Sequence, residues 1–192
     1  MNDMIRLTYG NTNTYFVNGL LIDADMPHTL SAFFAVLGKN GLTLSDIRYV
    51  LATHYHPDHI GLIGELMSRG VTLLLADRQT PFVHSSDALF ARIPHCPFVP
   101  IDETKATVFS LPDSRAILAP VGIAGEIVPT NSHSPDGIAL LLDDGHAFVG
   151  DLEPLSFLEG YENNISLQDD WKRILSHAPH TIHFGHANDF RP

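Results

Sequence analysis

Cysteine is nearly missing from this chain of 192 residues, with Cys96 standing alone. No disulfide can close within the chain and no cysteine-rich zinc module can form, so any metal must be held by histidine and carboxylate. Basic residues are scarce as well, 11 Lys and Arg against 22 Asp and Glu, for a formal charge of −11. That balance opposes attraction to a phosphate backbone, and no nucleic-acid partner is expected. The chain nowhere runs to the roughly 18 consecutive apolar residues of a membrane span. Its start, "MNDMIRLTYG", has an early acid and no basic stretch ahead of an apolar core. The expectation is a cytoplasmic protein without membrane contact. Charged residues, at 17%, are too few for a disordered chain, and 44% hydrophobic content is enough for a core.

Histidine, by contrast, is plentiful, with 12 copies. Three of them stand with an aspartate in "THYHPDHIGL": His54, His56, Asp58 and His59. From the chain's own composition, His-x-His-x-Asp-His is expected about 0.004 times by chance. Imidazole and carboxylate together are a ligand set for first-row transition metals. Asp58, taken alone, also fits the N-cap of the helix it precedes.

The apolar pattern places this motif in an α/β order. "TYFV" and "LLID" flank Asn18-Gly19 as a hairpin, and "HTLSAFFAVLGKNG" reads as a helix. "IRYVLA" reads as a buried strand, "HIGLIGELMSRG" as one helix and "VTLLLA" as a further strand, the alternation of a layered α/β domain. Residues 77–104 are proline-rich and irregular, with a short helix at "SSDALFARI". Such a segment suits a lid, with Phe82, Phe90 and Phe98 as candidate walls for substrate. Strands are expected at "ATVFSL", "AILAP", "GEIVPT", "GIALLLDD", "HAFVGD" and "TIHFG", with a helix at "LQDDWKRILSHA".

Three more polar residues follow strands at their carboxyl ends: His133, Asp151 and His186, as His54 follows "IRYVLA". Ligands of open α/β sheets gather at such ends. Four segments then converge on one rim if their strands lie side by side. His54, His56, Asp58, His59, His133, Asp151 and His186 are too many for one catalytic zinc, which takes about three protein ligands. They fit two metals sharing one carboxylate. Of the other histidines, His183 is expected on the opposite sheet face from Ile182 and Phe184, and His28 is a candidate for touching substrate. Asp23 is expected to support the ligand loop as an acceptor.

The set "HYHPDH", His133 in "NSHSPDGIALLL", Asp151 in "FVGD" and His186 in "FGHA", with the early "NTNTYFV" and "LLIDAD", resembles the metallo-β-lactamase superfamily over nearly the whole chain. The resemblance implies an αββα four-layer sandwich, two mixed β-sheets flanked by helices, with residues 1–192 as a single domain. It also implies one metal held by His54, His56 and His133, a second by Asp58, His59 and His186, and Asp151 bridging them. The full ligand set is closest to that of glyoxalase II-like thiolesterases and lactonases. Only six residues follow His186, so no added helical substrate domain is expected.

The function expected is hydrolysis of a small acyl substrate, a thioester or a lactone, by a hydroxide held between two divalent ions, with Asp58 relaying the proton. Zinc is the first choice of metal, with iron or manganese as alternatives. The competing functions are a phosphodiesterase and an iron-dependent oxidoreductase resembling a persulfide dioxygenase.

Overall fold

The computed structural model describes residues 4–160 and 163–192. Strand β1 (Met4–Thr8) pairs antiparallel with β2 (Asn13–Val17), which turns back into β3 (Leu20–Ile22). The turn between β2 and β3 holds Asn18 at φ 49° and Gly19 at φ 91°. Two consecutive positive φ values match the right-handed twist of a tight hairpin, which is why Asn-Gly stands there. Helix α1 (Leu30–Lys39) leads to β4 (Tyr49–Leu51). The ligand motif follows, then α2 (Pro57–Ile60), α3 (Ile63–Ser68) and β5 (Thr72–Ala76). After α4 (Asp87–Phe90) come β6 (Thr107–Phe109), α5 (Ser114–Leu118), β7 (Gly125–Pro129), β8 (Ile138–Leu142), β9 (His146–Phe148), α6 (Ile165–Leu175) and β10 (Thr181–His183).

The strands form two mixed sheets, one ordered β1-β2-β3-β4-β5-β6 and the other β10-β9-β8-β7. Strand alternation explains how they stack. Leu20, Ile22, Leu74 and Ala76 of the first sheet meet Ile127, Ile138, Leu140 and Phe148 of the second in a core between the sheets. Leu21, Leu73 and Leu75 point outward and pack under Phe33, Leu37 and Leu66 of α1 and α3. Ala139, Leu141 and Ile182 point outward from the second sheet, beneath Leu167, Trp171 and Ile174 of α6. The layers run helix, sheet, sheet, helix, the expected αββα sandwich. The near-continuous apolar runs follow, because a sheet covered on both faces has no solvent side.

Several sequence expectations are corrected. "AILAP" is not a strand: Ala116 to Leu118 belong to α5, with Leu118 buried between the sheets. A short apolar run fits a strand and a buried helical turn equally, and Pro120 ends this one without specifying which. "HIGLIGELMSRG" is two helices rather than one, and the first begins earlier, with His56 at the N-cap and Pro57 at the first helical position. Asp58 therefore sits in the first turn, not at the cap. Strand β1 was not expected at all. β4 lies in the first sheet while β7, β9 and β10 share a direction in the second, so the four ligand-bearing strands do not lie side by side. They meet across the edge of the sandwich.

Candidate metal centre

The loop after β4 carries His54 and His56, and α2 carries Asp58 and His59. The loops after β7, β9 and β10 bring in His133, Asp151 and His186. These seven residues form three overlapping groups whose ligand atoms lie within 4.8 Å of one another: His54, His56 and His133; His54, His59 and Asp151; Asp58, His59 and His186. His56 Nδ1 faces His133 Nε2 at 3.1 Å, and His186 Nε2 faces Asp58 Oδ2 at 3.0 Å. Asp151 stands in the middle. Its Oδ1 is 3.2 Å from His59 Nε2, and its Oδ2 is 3.3, 3.7 and 3.8 Å from the Nε2 atoms of His186, His133 and His54.

The donor set fits divalent metal. His54 Nε2, His59 Nε2 and Asp151 Oδ1 are buried and make no hydrogen bond, a costly arrangement unless something else satisfies these atoms. The opposite ring nitrogens are engaged: His59 Nδ1 lies 2.9 Å from Asp23 Oδ2, His186 Nδ1 donates to Asn11 O at 3.1 Å, and His54 Nδ1 meets Thr53 Oγ1 at 3.2 Å. With the proton on Nδ1, Nε2 keeps its lone pair for an ion. Asp23 also accepts from Thr53 N at 2.7 Å, so it supports the ligand loop as expected.

The electrostatics agree with a site built for positive charge. Burial, with the neighbouring imidazoles His59, His56 and His133, pushes His54 far below the ordinary histidine range, so it stays neutral. Burial also works against charge on His59, but Asp23 and Asp151 on either side outweigh it and raise its pKa to about 10. Burial lowers His133. For Asp151, burial is outweighed by His59, His186 and His133, which hold its carboxyl below the usual range. Proton and divalent ion compete for the same imidazole and carboxylate atoms here, since each ligand must be unprotonated to bind metal.

Further supporting residues are not singled out individually in the sequence. Asp136 Oδ2 accepts from Tyr55 N at 2.6 Å and its Oδ1 accepts from Ser134 Oγ, tying the His54–His56 loop to the His133 loop. Asp170 of α6 accepts from Asn131 N and Ser132 N at 2.7 and 2.8 Å, bracing the His133 loop from behind. Thr12 Oγ1 donates to Asp58 O at 2.7 Å, and Asn13 Nδ2 donates to Phe184 O and Ala187 O at 3.1 Å each, on either side of His186. Gly185 is required by close approach: a Cβ there would stand 2.5 Å from Asp151 Oδ1 and 2.9 Å from His59 Cε1. Hydrogen bonds to a buried charge contribute about 1.5–3 kcal/mol each. Asp136→Ala is therefore expected to lower stability by about 3 kcal/mol and to weaken metal retention against a chelator, with Asp136→Asn recovering part of both. Equal metal retention in the Ala variant and wild type would show that the loops hold their positions without the carboxylate.

The expected substrate walls are only partly in place. Phe90 is fully buried in the core beneath the first sheet and stacks on Phe98 at 4.2 Å. Phe82 does line a cleft, with Tyr55, Pro57 and Leu89 beside His56. Phe90→Ala is expected to cost about 3–5 kcal/mol and leave KM near wild type, whereas Phe82→Ala raises KM with little change in kcat. Steady-state kinetics with thermal melts separate the two. His28 is the exposed residue of the turn Pro27–Thr29, whose other two residues are buried, and it lines neither cleft beside the centre. His183 is buried, stacked on Phe148 and bonded to His146 Nδ1 at 2.9 Å, on the face away from Ile182.

Fold and site together define a class: a layered α/β sandwich with a histidine and aspartate cluster at one edge. The chain belongs to the metallo-beta-lactamase superfamily, whose family model matches residues 7–186. That superfamily consists largely of metallo-hydrolases. A lactamase-like protein, nscB, of Neosartorya fischeri is 29% identical over 163 residues, 77% of this chain and 42% of the relative. The beta-lactamase-like protein 2 homolog of Drosophila melanogaster is 25% identical over 189 residues, 95% of this chain and 60% of the relative. The chain thus spans less than two thirds of either protein's length. Among solved structures, TTHA1623 in a di-iron-bound form shares the fold at a TM-score of 0.70, with 24% identity and coverage of 97% and 94%. No helix among the described residues is long and apolar enough to cross a membrane.

Proposed function

We propose that this chain is a metal-dependent hydrolase of small acyl substrates, thioesters or lactones, using two divalent ions, zinc first. His54, His56 and His133 would hold one ion and Asp58, His59 and His186 the other, with Asp151 shared. The observation that carries the reading is Asp151, whose two oxygens face both groups across 3.2–3.8 Å. When bound, a metal pair acidifies a water to pKa near about 7 and polarises a carbonyl.

The chain's own residues supply orientation and proton handling. Asp23, Asn11 and Thr53 fix the rings of His59, His186 and His54. Asp58 is half-buried at the rim, with Thr12 Oγ1 3.4 Å from its Oδ2. From there it can take the proton of the attacking water and pass it to the leaving group.

Iron also suits imidazole and carboxylate, and the di-iron form of TTHA1623 favours an iron-dependent oxidoreductase as the second reading. Zinc-loaded and iron-loaded protein assayed on thioesters, lactones and phosphodiesters separates the possibilities. The expected result is acyl hydrolysis that rises with pH through about 7 and is lost on chelation. Cleavage of phosphodiesters alone would replace the acyl reading, and oxygen consumption that requires iron would replace hydrolysis.

A further inference from the structure

Two clefts flank the histidine and aspartate cluster. One, of about 250 Å³, lies against Asp151 and His186 and is walled by Leu152, Glu153, Pro154, Phe184 and Ala187. The other, of about 390 Å³, runs from His56 past Pro57, Phe82 and Leu89. Neither is lined by lysine or arginine. The residues outside the described set are Met1, Asn2, Asp3, Tyr161 and Glu162, none of them cationic. Arg78 reaches Pro135 at the rim of the second cleft, where its Nη2 donates to Asn131 Oδ1 and Pro135 O at 2.6 Å each, bracing the loop.

The charge balance of the site follows from its residues. Asp23, Asp58, Asp136, Asp151 and Glu153 place five carboxylates in the centre, its supports and its walls. Two divalent ions bring four positive charges, so the loaded site has no surplus with which to draw an anionic tail. A carboxylate or phosphate entering the smaller cleft would be desolvated against apolar walls in a lining whose carboxylate residues, Asp151 and Glu153, oppose its charge. An uncharged aliphatic group would be favoured there by burial. The volume, about eight times that of a liquid water, suits an acyl chain of medium length.

We infer that the site selects uncharged acyl substrates, with the acyl chain seated beside Asp151 and His186, and that Glu153 is the specificity-determining residue that turns away anionic tails. The inference rests on the acyl-hydrolase reading above. It is tested on metal-loaded full-length chain with hexanoyl and adipoyl thioesters of the same neutral thiol, which differ in whether the chain ends in a methyl or a carboxylate. Their non-hydrolysable ketone analogues are titrated in parallel by calorimetry.

The hexanoyl form is expected to win by about tenfold or more in kcat/KM and in Kd, the scale of one partly screened charge pair. Glu153→Gln narrows that ratio and Glu153→Lys narrows it further or reverses it. The Glu153 backbone oxygen accepts from Trp171 Nε1 at 2.9 Å, a bond that both variants retain. Ala187→Leu, which takes up part of the cleft's volume, weakens the hexanoyl ketone by about tenfold. Equal treatment of both tails by wild type, or a preference that Glu153→Lys leaves unchanged, overturns the inference. Charge-selective binding of the ketones with no thioester turnover upholds it and removes the hydrolase reading instead.

Discussion

With two ions shared through Asp151 as proposed, Asp151→Asn is expected to leave the fold intact, to lower bound metal to one ion per chain or fewer, and to cut turnover by at least about a hundredfold. Asn is nearly isosteric, so little packing is lost, but it brings no negative charge to the point where both ligand groups converge. Residues that merely orient ligands are worth 10–100-fold in affinity or activity, and a residue facing both groups is expected to exceed that. Element analysis after dialysis, thermal melts and kinetics on one preparation check the three parts together. Full occupancy and turnover in the variant would remove Asp151 from its shared role.

Chelation is expected to have the second large effect. An ion that binds only the folded chain stabilises it by about 4 kcal/mol at a free concentration a thousandfold above its Kd. At 2–4 °C per kcal/mol for a chain of this size, stripping the metal should lower Tm by about 10 °C. The loss should be reversed by added zinc and reduced in a His54→Ala, His56→Ala double variant, which keeps the ligands of the second ion. Acid should act in the same direction. Histidine ligands must be unprotonated to hold the ions, and His59, raised to about 10 against its burial by Asp23 and Asp151, is where a proton competes most strongly, so occupancy falls as pH drops. A Tm that ignores chelator would mean that the cluster closes without metal.

The grouping of the seven candidate ligands was legible in the sequence because its chemistry is concentrated. Four of the seven residues lie in one hexapeptide, and His133, Asp151 and His186 each follow an apolar run that reads as a strand. The order of apolar runs pointed to a layered α/β domain, and the superfamily resemblance implied its two covered sheets. What stayed hidden depends on neighbours distant in the chain. Asp136 lies between Pro135 and Gly137 and reads as a turn residue; only the fold shows its carboxylate holding Tyr55 N, 81 positions away. Thr12 and Asn13 look like loop polar residues until β10 brings His186 beside them. Phe90 and Phe82 are the same residue type eight positions apart, yet one enters the core and the other lines a cleft. Phe82 ends the 3-10 turn Asp77–Phe82 while Phe90 ends α4, and a segment without sustained periodicity does not disclose which of them enters the core.

The central claim is that these seven residues form a two-metal centre organised around Asp151. An anomalous difference map from crystals of the zinc-loaded chain tests it most directly. The account predicts two peaks per chain, one against His54, His56 and His133 and one against Asp58, His59 and His186, with Asp151 between them. A single peak at saturating zinc, or peaks away from these residues, would contradict it.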